Sequence, residues 1–292
     1  MAVSGKARPM VHKRLAWGLV LTAAFLLAVW LDGLLRGGPL LHLVFGALMI
    51  GALWEVYSLA ERAGLEPLKL LPVVLVACLV AGDYALRVGW LVAAGGSGPC
   101  ARLGEFYGPM GISLVACSAV LLAAHLVARG PERWLRGAPA TLLGFVYVWF
   151  FGAHVFAILA RGVGYVLAFL AAAKLGDAGA YFVGRFWGRR RLAPRTSPNK
   201  TVEGCVGGLA ASAGCCVATA ALCRLDGSLA FWAVFGLVVG ALAQVGDLVE
   251  SALKRSAGAK DSGQLLPTFG GVLDLVDSPL FSAPVALWLL VA

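Results

Sequence analysis

The run Leu229-Ala-Phe-Trp-Ala-Val-Phe-Gly-Leu-Val-Val-Gly-Ala-Leu-Ala-Gln-Val-Gly-Asp247-Leu-Val-Glu250-Ser-Ala-Leu-Lys254-Arg255 begins as a membrane segment and ends as a charged helix. Its first part, to residue 248, approaches the ~20 apolar residues that a bilayer-spanning helix needs. Its last turns carry two carboxylates and two cations. At helical spacing Asp247 and Ser251 are four apart, as are Glu250 and Lys254, and Asp247, Glu250 and Lys254 share one face. Ionisable groups at such a position are functional candidates by default, because the bilayer makes them expensive to keep.

Working outward, eight further apolar stretches can be drawn, at 15–31, 40–60, 70–95, 107–128, 139–160, 163–183, 204–223 and 276–292. With 229–248 they predict an all-α, polytopic integral membrane protein of about nine transmembrane helices. Composition agrees: the chain is 60% hydrophobic and only 13% charged, where soluble domains carry ~25% charged residues. The stretch 70–95 is long and contains Pro72 and Asp83, so it reads either as one tilted helix or as a broken pair. The segment Leu15–Leu31 follows basic residues as a signal peptide would, but it is long and no convincing small-residue cleavage site follows. We expect a retained first helix.

Lys and Arg give an independent check. With the amino terminus in the cytoplasm, 18 of the 24 fall in cytoplasmic segments, five on the other face, and Lys174 inside the sixth span. The charged segments 184–203 and 249–275 then share the cytoplasmic face, the expectation for a multi-pass inner-membrane protein that works on nucleotides. No polar stretch is long enough to bury a core of its own. Residues 1–292 therefore read as a single membrane domain, with 1–160 its amino-terminal helices and 161–292 its catalytic helices and cytoplasmic loops. The net charge of +9 is dispersed over short segments, which argues against a nucleic-acid partner. Seven cysteines show no CxxC spacing and read as packing residues. Gly204-x-x-x-Gly208 and Gly236-x-x-x-Gly240 read as close helix contacts.

The chemistry concentrates in two regions. The first runs from Asp177, near the end of a span, to a Ser197-Pro-Asn-Lys200-Thr turn. Pro194 and Pro198 exclude a helix, so Thr196 to Thr201 is expected to be an exposed loop whose N–H and hydroxyl groups meet phosphate oxygens. There is no GxxxxGK[ST] motif. In the second region Asp247, Glu250, Asp274 and Asp277, with Asp177, supply an oxygen cage suited to Mg²⁺, which takes one or two carboxylates, waters and substrate phosphates. A second metal ion could complete a clamp on a phosphoryl centre. Gly258, Gly263, Gly270 and Gly271 permit close backbone approach to a ligand. The bland alternative is a web of ion pairs that neutralises buried charge. The histidines, at 12, 42, 125 and 154, lie outside both regions, which argues against general-base histidine chemistry and leaves phosphoryl or nucleotidyl transfer by metal and cation.

The run Ser251-x-x-Lys-Arg-x4-Lys-Asp-Ser-Gly-x2-Leu-Pro-x-x-Gly-Gly-x-x-Asp-x-x-Asp277, with Asp177-Ala-Gly-Ala-Tyr-Phe-Val-Gly-Arg and Ser197-Pro-Asn-Lys-Thr-Val-Glu-Gly upstream, resembles the signature of phosphatidate cytidylyltransferases, the CDP-diacylglycerol synthases. The resemblance covers roughly 174–279, and Trp54-Glu-Val-Tyr57 adds a compatible element. It implies that CTP and phosphatidate, drawn from the membrane lipid, give CDP-diacylglycerol and pyrophosphate with Mg²⁺. It implies that Asp247 and Asp274 are the principal metal ligands, with Asp277, Glu250 and Asp177 nearby. Lys254, Lys260, Arg255 and Lys200 would hold the triphosphate, and Ser251, Ser197, Asp261, Gly270 and Gly271 would contact substrate. A homodimer is compatible. The chain departs from the pattern at Phe269 and Leu275, where the family usually has His and Arg, which leaves a catalytically altered member of the family as an alternative. Two other classes compete: a CTP-dependent lipid or polyprenol kinase, which releases a nucleoside diphosphate, and a transporter, which needs midplane charges and inverted repeats that this chain lacks.

Overall fold

The computed structural model describes residues 8–35, 38–93, 103–263 and 270–291. Nearly all of it is helix, in the order α1 (Arg8–Leu34), α2 (Pro39–Arg62), α3 (Leu70–Ala93), α4 (Leu103–Arg129), α5 (Pro131–Phe145), α6 (Phe151–Arg161), α7 (Val163–Leu170), α8 (Gly176–Trp187), α9 (Val202–Leu222), α10 (Leu229–Ser256) and α11 (Leu273–Val291). A π-turn, Val146–Phe150, joins α5 to α6, and another, Ala171–Leu175, joins α7 to α8. Each pair is thus one continuous helix with a residue more than α-geometry allows.

Among the described residues, seven helices are long and apolar enough to cross a membrane: Pro39–Arg62, Gly108–Arg129, Pro131–Arg161, Val163–Trp187, Val202–Leu222, Leu229–Ser256 and Leu273–Val291. Shorter apolar helices, Thr22–Leu34 and Leu70–Leu86, lie at the first and third predicted stretches. Over the described residues every predicted stretch is helical, and the protein is all-α and polytopic. The long stretch is one helix, α3, because Pro72 falls in its first turn, where a missing N–H breaks no bond.

The core is continuous through the chain. One cluster joins Leu41 of α2 and Ile158 of α6 to Trp232 and Phe235 of α10 and Leu287 of α11. The other joins Leu53 and Tyr57 of α2 to Phe145, Val148, Val272 and Leu273. The carboxy-terminal helices pack in sequence: α9 lies against α8 and α10, and α10 against α11. Small residues let them approach. A Cβ at Gly208 would sit 2.8 Å from Ala180 Cβ, and one at Gly236 would sit 2.7 Å from the Ser212 carbonyl, so both glycine pairs are helix-contact positions. The six described cysteines are free thiols, and Cys100 lies outside the described residues.

One expectation is corrected. Residues 196–201 are not an open loop: Ser197–Thr201 is a strand, β2, antiparallel to β1 (Arg191–Ala193), with Arg191 opposite Thr201 and Ala193 opposite Ser197. Pro194 falls in the three-residue turn, and Pro198 is tolerated because each strand of a two-stranded ribbon is an edge. The ribbon is pinned to α9. Thr201 Oγ1 caps its first turn, accepting from Gly204 N at 3.1 Å, and Glu203 accepts the Arg189 and Arg190 amides.

Candidate active site

The site forms where the last turns of α10 meet the first turns of α11. Asp247, Glu250 and Asp277 bring carboxylate oxygens within 4.8 Å of one another. Glu250 and Asp277 are buried and Asp247 is half-buried. Three lysines from three elements surround them. Lys200 of β2 lies 2.6 Å from Asp247, Lys254 of α10 lies 2.5 Å from Glu250, and Lys174 of the second π-turn lies 3.0 Å from Asp277 and 4.0 Å from Asp177. Ser278 Oγ donates within reach of both Asp177 (3.0 Å) and Asp277 (3.1 Å), and Ser251 Oγ lies 3.4 Å from Asp247.

Asp274 adjoins the trio through Glu250, the two carboxyl groups lying within hydrogen-bond reach of each other. Its Oδ1 is 2.5 Å from Lys254, while its Oδ2 accepts from Ser262 N, Ser262 Oγ and Gly271 N at 2.8–3.1 Å. Asp274 and Asp277, three apart on α11, therefore serve different partners. Arg255 holds the hairpin turn, with Nε 3.4 Å from the Thr196 carbonyl, and its other contact is the Ala259 carbonyl. Lys260 and Asp261 are exposed beside it, and Ser197 is half-buried on β2. Gly270 and Gly271 approach protein groups: a Cβ at Gly270 would sit 2.8 Å from Asp274 Oδ2, and one at Gly271 would collide with Ser262 and Glu55. Gly270 also has φ +96°, which glycine alone adopts freely. Leu275 is half-buried in the first turn of α11, and Phe269 lies outside the described residues.

Carboxyl groups outnumber cations here: among the described residues, Asp177, Asp247, Glu250, Asp274 and Asp277 face Lys174, Lys200 and Lys254. Glu250 Oε1 and the Tyr147 hydroxyl are moreover buried with no hydrogen-bond partner among the described residues. A buried polar atom without a partner is costly, and a carboxylate oxygen left open inside an acidic trio suits a divalent cation. Tyr147 belongs to the first π-turn and interacts electrostatically with Asp277, Glu250 and Asp247. Of the two π-turns, the second supplies a direct contact, Lys174 to Asp277.

Sequence reasoning placed Asp247, Glu250, Asp277, Lys200 and Lys254 together. It did not assign Lys174, Tyr147, Ser262, Ser278 or Glu55 to the site. Lys174 gave a usable signal, as a cation inside a span three residues before Asp177. Ser262 and Glu55 fall within the quoted motifs without a role of their own, and Tyr147 and Ser278 read as ordinary residues of apolar helices.

The profile of the cytidylyltransferase family matches residues 12–292. A protein named phosphatidate cytidylyltransferase from Staphylococcus aureus strain COL is 32% identical over 266 residues, 90% of this chain and 95% of that relative. One of the same name from Staphylococcus saprophyticus is 37% identical over 174 residues, covering 59% of this chain and 66% of its own length. Another, from Bacillus subtilis strain 168, is 45% identical over 114 residues, 39% of this chain and 42% of its own. The chain belongs to the cytidylyltransferase family, and is a nucleotidyltransferase.

Proposed function

We propose that this protein is a phosphatidate cytidylyltransferase of the inner membrane, with its active site on the cytoplasmic face, and that the carboxylate trio with its three lysines is the catalytic centre. The trio itself carries the reading, because it joins an open carboxylate oxygen to a ring of cations. A phosphate oxygen of phosphatidate forms a bond to the α-phosphorus of CTP, the bond from that phosphorus to the bridging oxygen breaks, and pyrophosphate leaves. A phosphate monoester has its second pKa near ~6, so the nucleophile is already anionic and needs no histidine.

Asp247, Glu250 and Asp277 would hold Mg²⁺, with Asp274 and Asp177 at its margin. The metal supplies Lewis-acid stabilisation of charge on the phosphates. Lys200, Lys254 and Lys174 stand where they neutralise two anionic substrates, and Lys260 and Arg255 extend that field at the hairpin. Ser197, Ser251, Asp261, Gly270 and Gly271 would contact substrate. On this reading 1–160 and 161–292 form a single membrane domain, because α2 and α6 of the first part pack on α11 of the second.

The test is the fate of label in phosphatidate micelles with Mg²⁺. Label from [α-³²P]CTP is expected in a lipid product and label from [γ-³²P]CTP in pyrophosphate, with both transfers lost in Asp247→Asn and Asp277→Asn. Transfer of the γ-label to lipid would instead establish a kinase and sink this assignment.

A further inference from the structure

Glu55 is the most unusual charged residue outside the trio. It lies in α2, is only 3% exposed, and pairs with no cation among the described residues. Its carboxylate instead accepts three neutral hydrogen bonds, all from residues more than 200 positions away: Ser262 Oγ to Oε2 at 2.7 Å, Val272 N to Oε1 at 2.9 Å and Leu273 N to Oε2 at 2.9 Å. The two amides belong to the residue before α11 and to its first residue. Glu55 thus caps α11 from a different helix, supplying the acceptor that the first-turn N–H groups lack and meeting the positive end of the helix dipole. The contact is enforced sterically, since a Cβ at Gly263 or Gly271 would collide with this carboxylate.

Ser262 continues the path. Its amide donates to Asp274 Oδ2 at 3.1 Å, its hydroxyl, 2.8 Å from that oxygen, shares its one proton between Glu55 and Asp274, Asp274 Oδ1 holds Lys254 at 2.5 Å, and Lys254 holds Glu250 of the trio at 2.5 Å. Every link from Glu55 to Glu250 is a direct hydrogen bond or ion pair. We propose that Glu55 is a positioning residue for the nucleotide end of the active site, acting through Ser262 and Asp274 to fix Lys254 and the start of α11. This rests on the catalytic reading given above. A carboxylate is suited to the task because it accepts on both oxygens at once, whereas an amide in its place offers one acceptor and turns a donor toward the Ser262 hydroxyl or a backbone N–H.

The experiment compares full-length wild type, Glu55→Gln, Ser262→Ala and the double variant in phosphatidate micelles. Loss of folded protein scales kcat and leaves both KM values alone. Positioning predicts that KM for CTP and the Mg²⁺ concentration for half-activation rise at least fivefold in each single variant, while KM for phosphatidate stays within twofold. Because the two residues lie on one path, the double variant is expected to match the worse single variant and not the product of the two. Changes confined to kcat, or effects that multiply, overturn the proposal. Amide exchange at Val272 and Leu273 gives a readout independent of activity, expected to quicken at least tenfold in Glu55→Gln; unchanged exchange also overturns it. If Glu55→Gln does not fold, Ser262→Ala, which leaves the cap in place, decides by its KM split. Wild type that transfers no cytidylyl group would sink the catalytic reading, while the exchange data would still judge the cap.

Discussion

Lys174 lies within an otherwise apolar run, Val163–Leu175, yet its ammonium reaches two carboxylates of the site, Asp277 at 3.0 Å and Asp177 at 4.0 Å. Asp277 is buried, so removing its partner leaves a charge that water cannot easily solvate. Lys174→Met is therefore expected to lower kcat/KM about 30-fold, a loss of roughly 2 kcal/mol in transition-state stabilisation. Steady-state kinetics on detergent-purified protein checks this, and activity within threefold of wild type would remove Lys174 from the machinery. The residue scale also shows what a sequence conceals. Asp247, Glu250 and Lys254 were legible because helical spacing alone puts them on one face. Glu55 was not, because its partners are set by tertiary packing more than 200 residues away.

Helix contacts decide whether an added methyl group helps or harms. Gly208 and Gly214 both lie in α9, but a Cβ at Gly208 would meet Ala180 Cβ at 2.8 Å and Gln244 Nε2 at 2.9 Å, whereas one at Gly214 meets nothing within 4 Å. Gly208→Ala should destabilise by about 1–3 kcal/mol through overpacking. Gly214→Ala should stabilise by up to ~1 kcal/mol, because alanine is the better helix former. Thermal melts in one detergent compare the pair, and equal shifts would show that α9 is not wedged between α8 and α10. Apolar periodicity revealed the helices, but not their joints. Nothing in Val146–Phe150 or Ala171–Leu175 announces a π-turn, since each reads as a continuation of the helix before it. The hairpin escaped for a related reason: prolines excluded a helix at 194–198 but did not distinguish an open loop from an edge ribbon.

Across the whole molecule the site draws on α2, both π-turns, β2, α10 and α11, so ligand binding should stabilise the entire fold. Mg²⁺ with CTP at 100 times the dissociation constant contributes about 2.7 kcal/mol. A raised Tm is expected for wild type and none for Asp247→Asn or Asp277→Asn; a shift preserved in both variants would place the ligand elsewhere. This breadth is why the 1–160 segment offered so little at the level of motif. It contributes packing surfaces, the Glu55 cap and the short Trp54-Glu-Val-Tyr57 element. The π-turns carry a consequence of their own. Each holds one residue beyond α-helical register, so winding Val146–Phe150 into regular α-geometry with no residue removed would swing everything beyond it by ~100° relative to what precedes. The face of α6 that now meets α11 would turn aside. The chain keeps two locally imperfect turns where regular ones were available; beyond the first, α6 meets α11, and in the second Lys174 reaches Asp277.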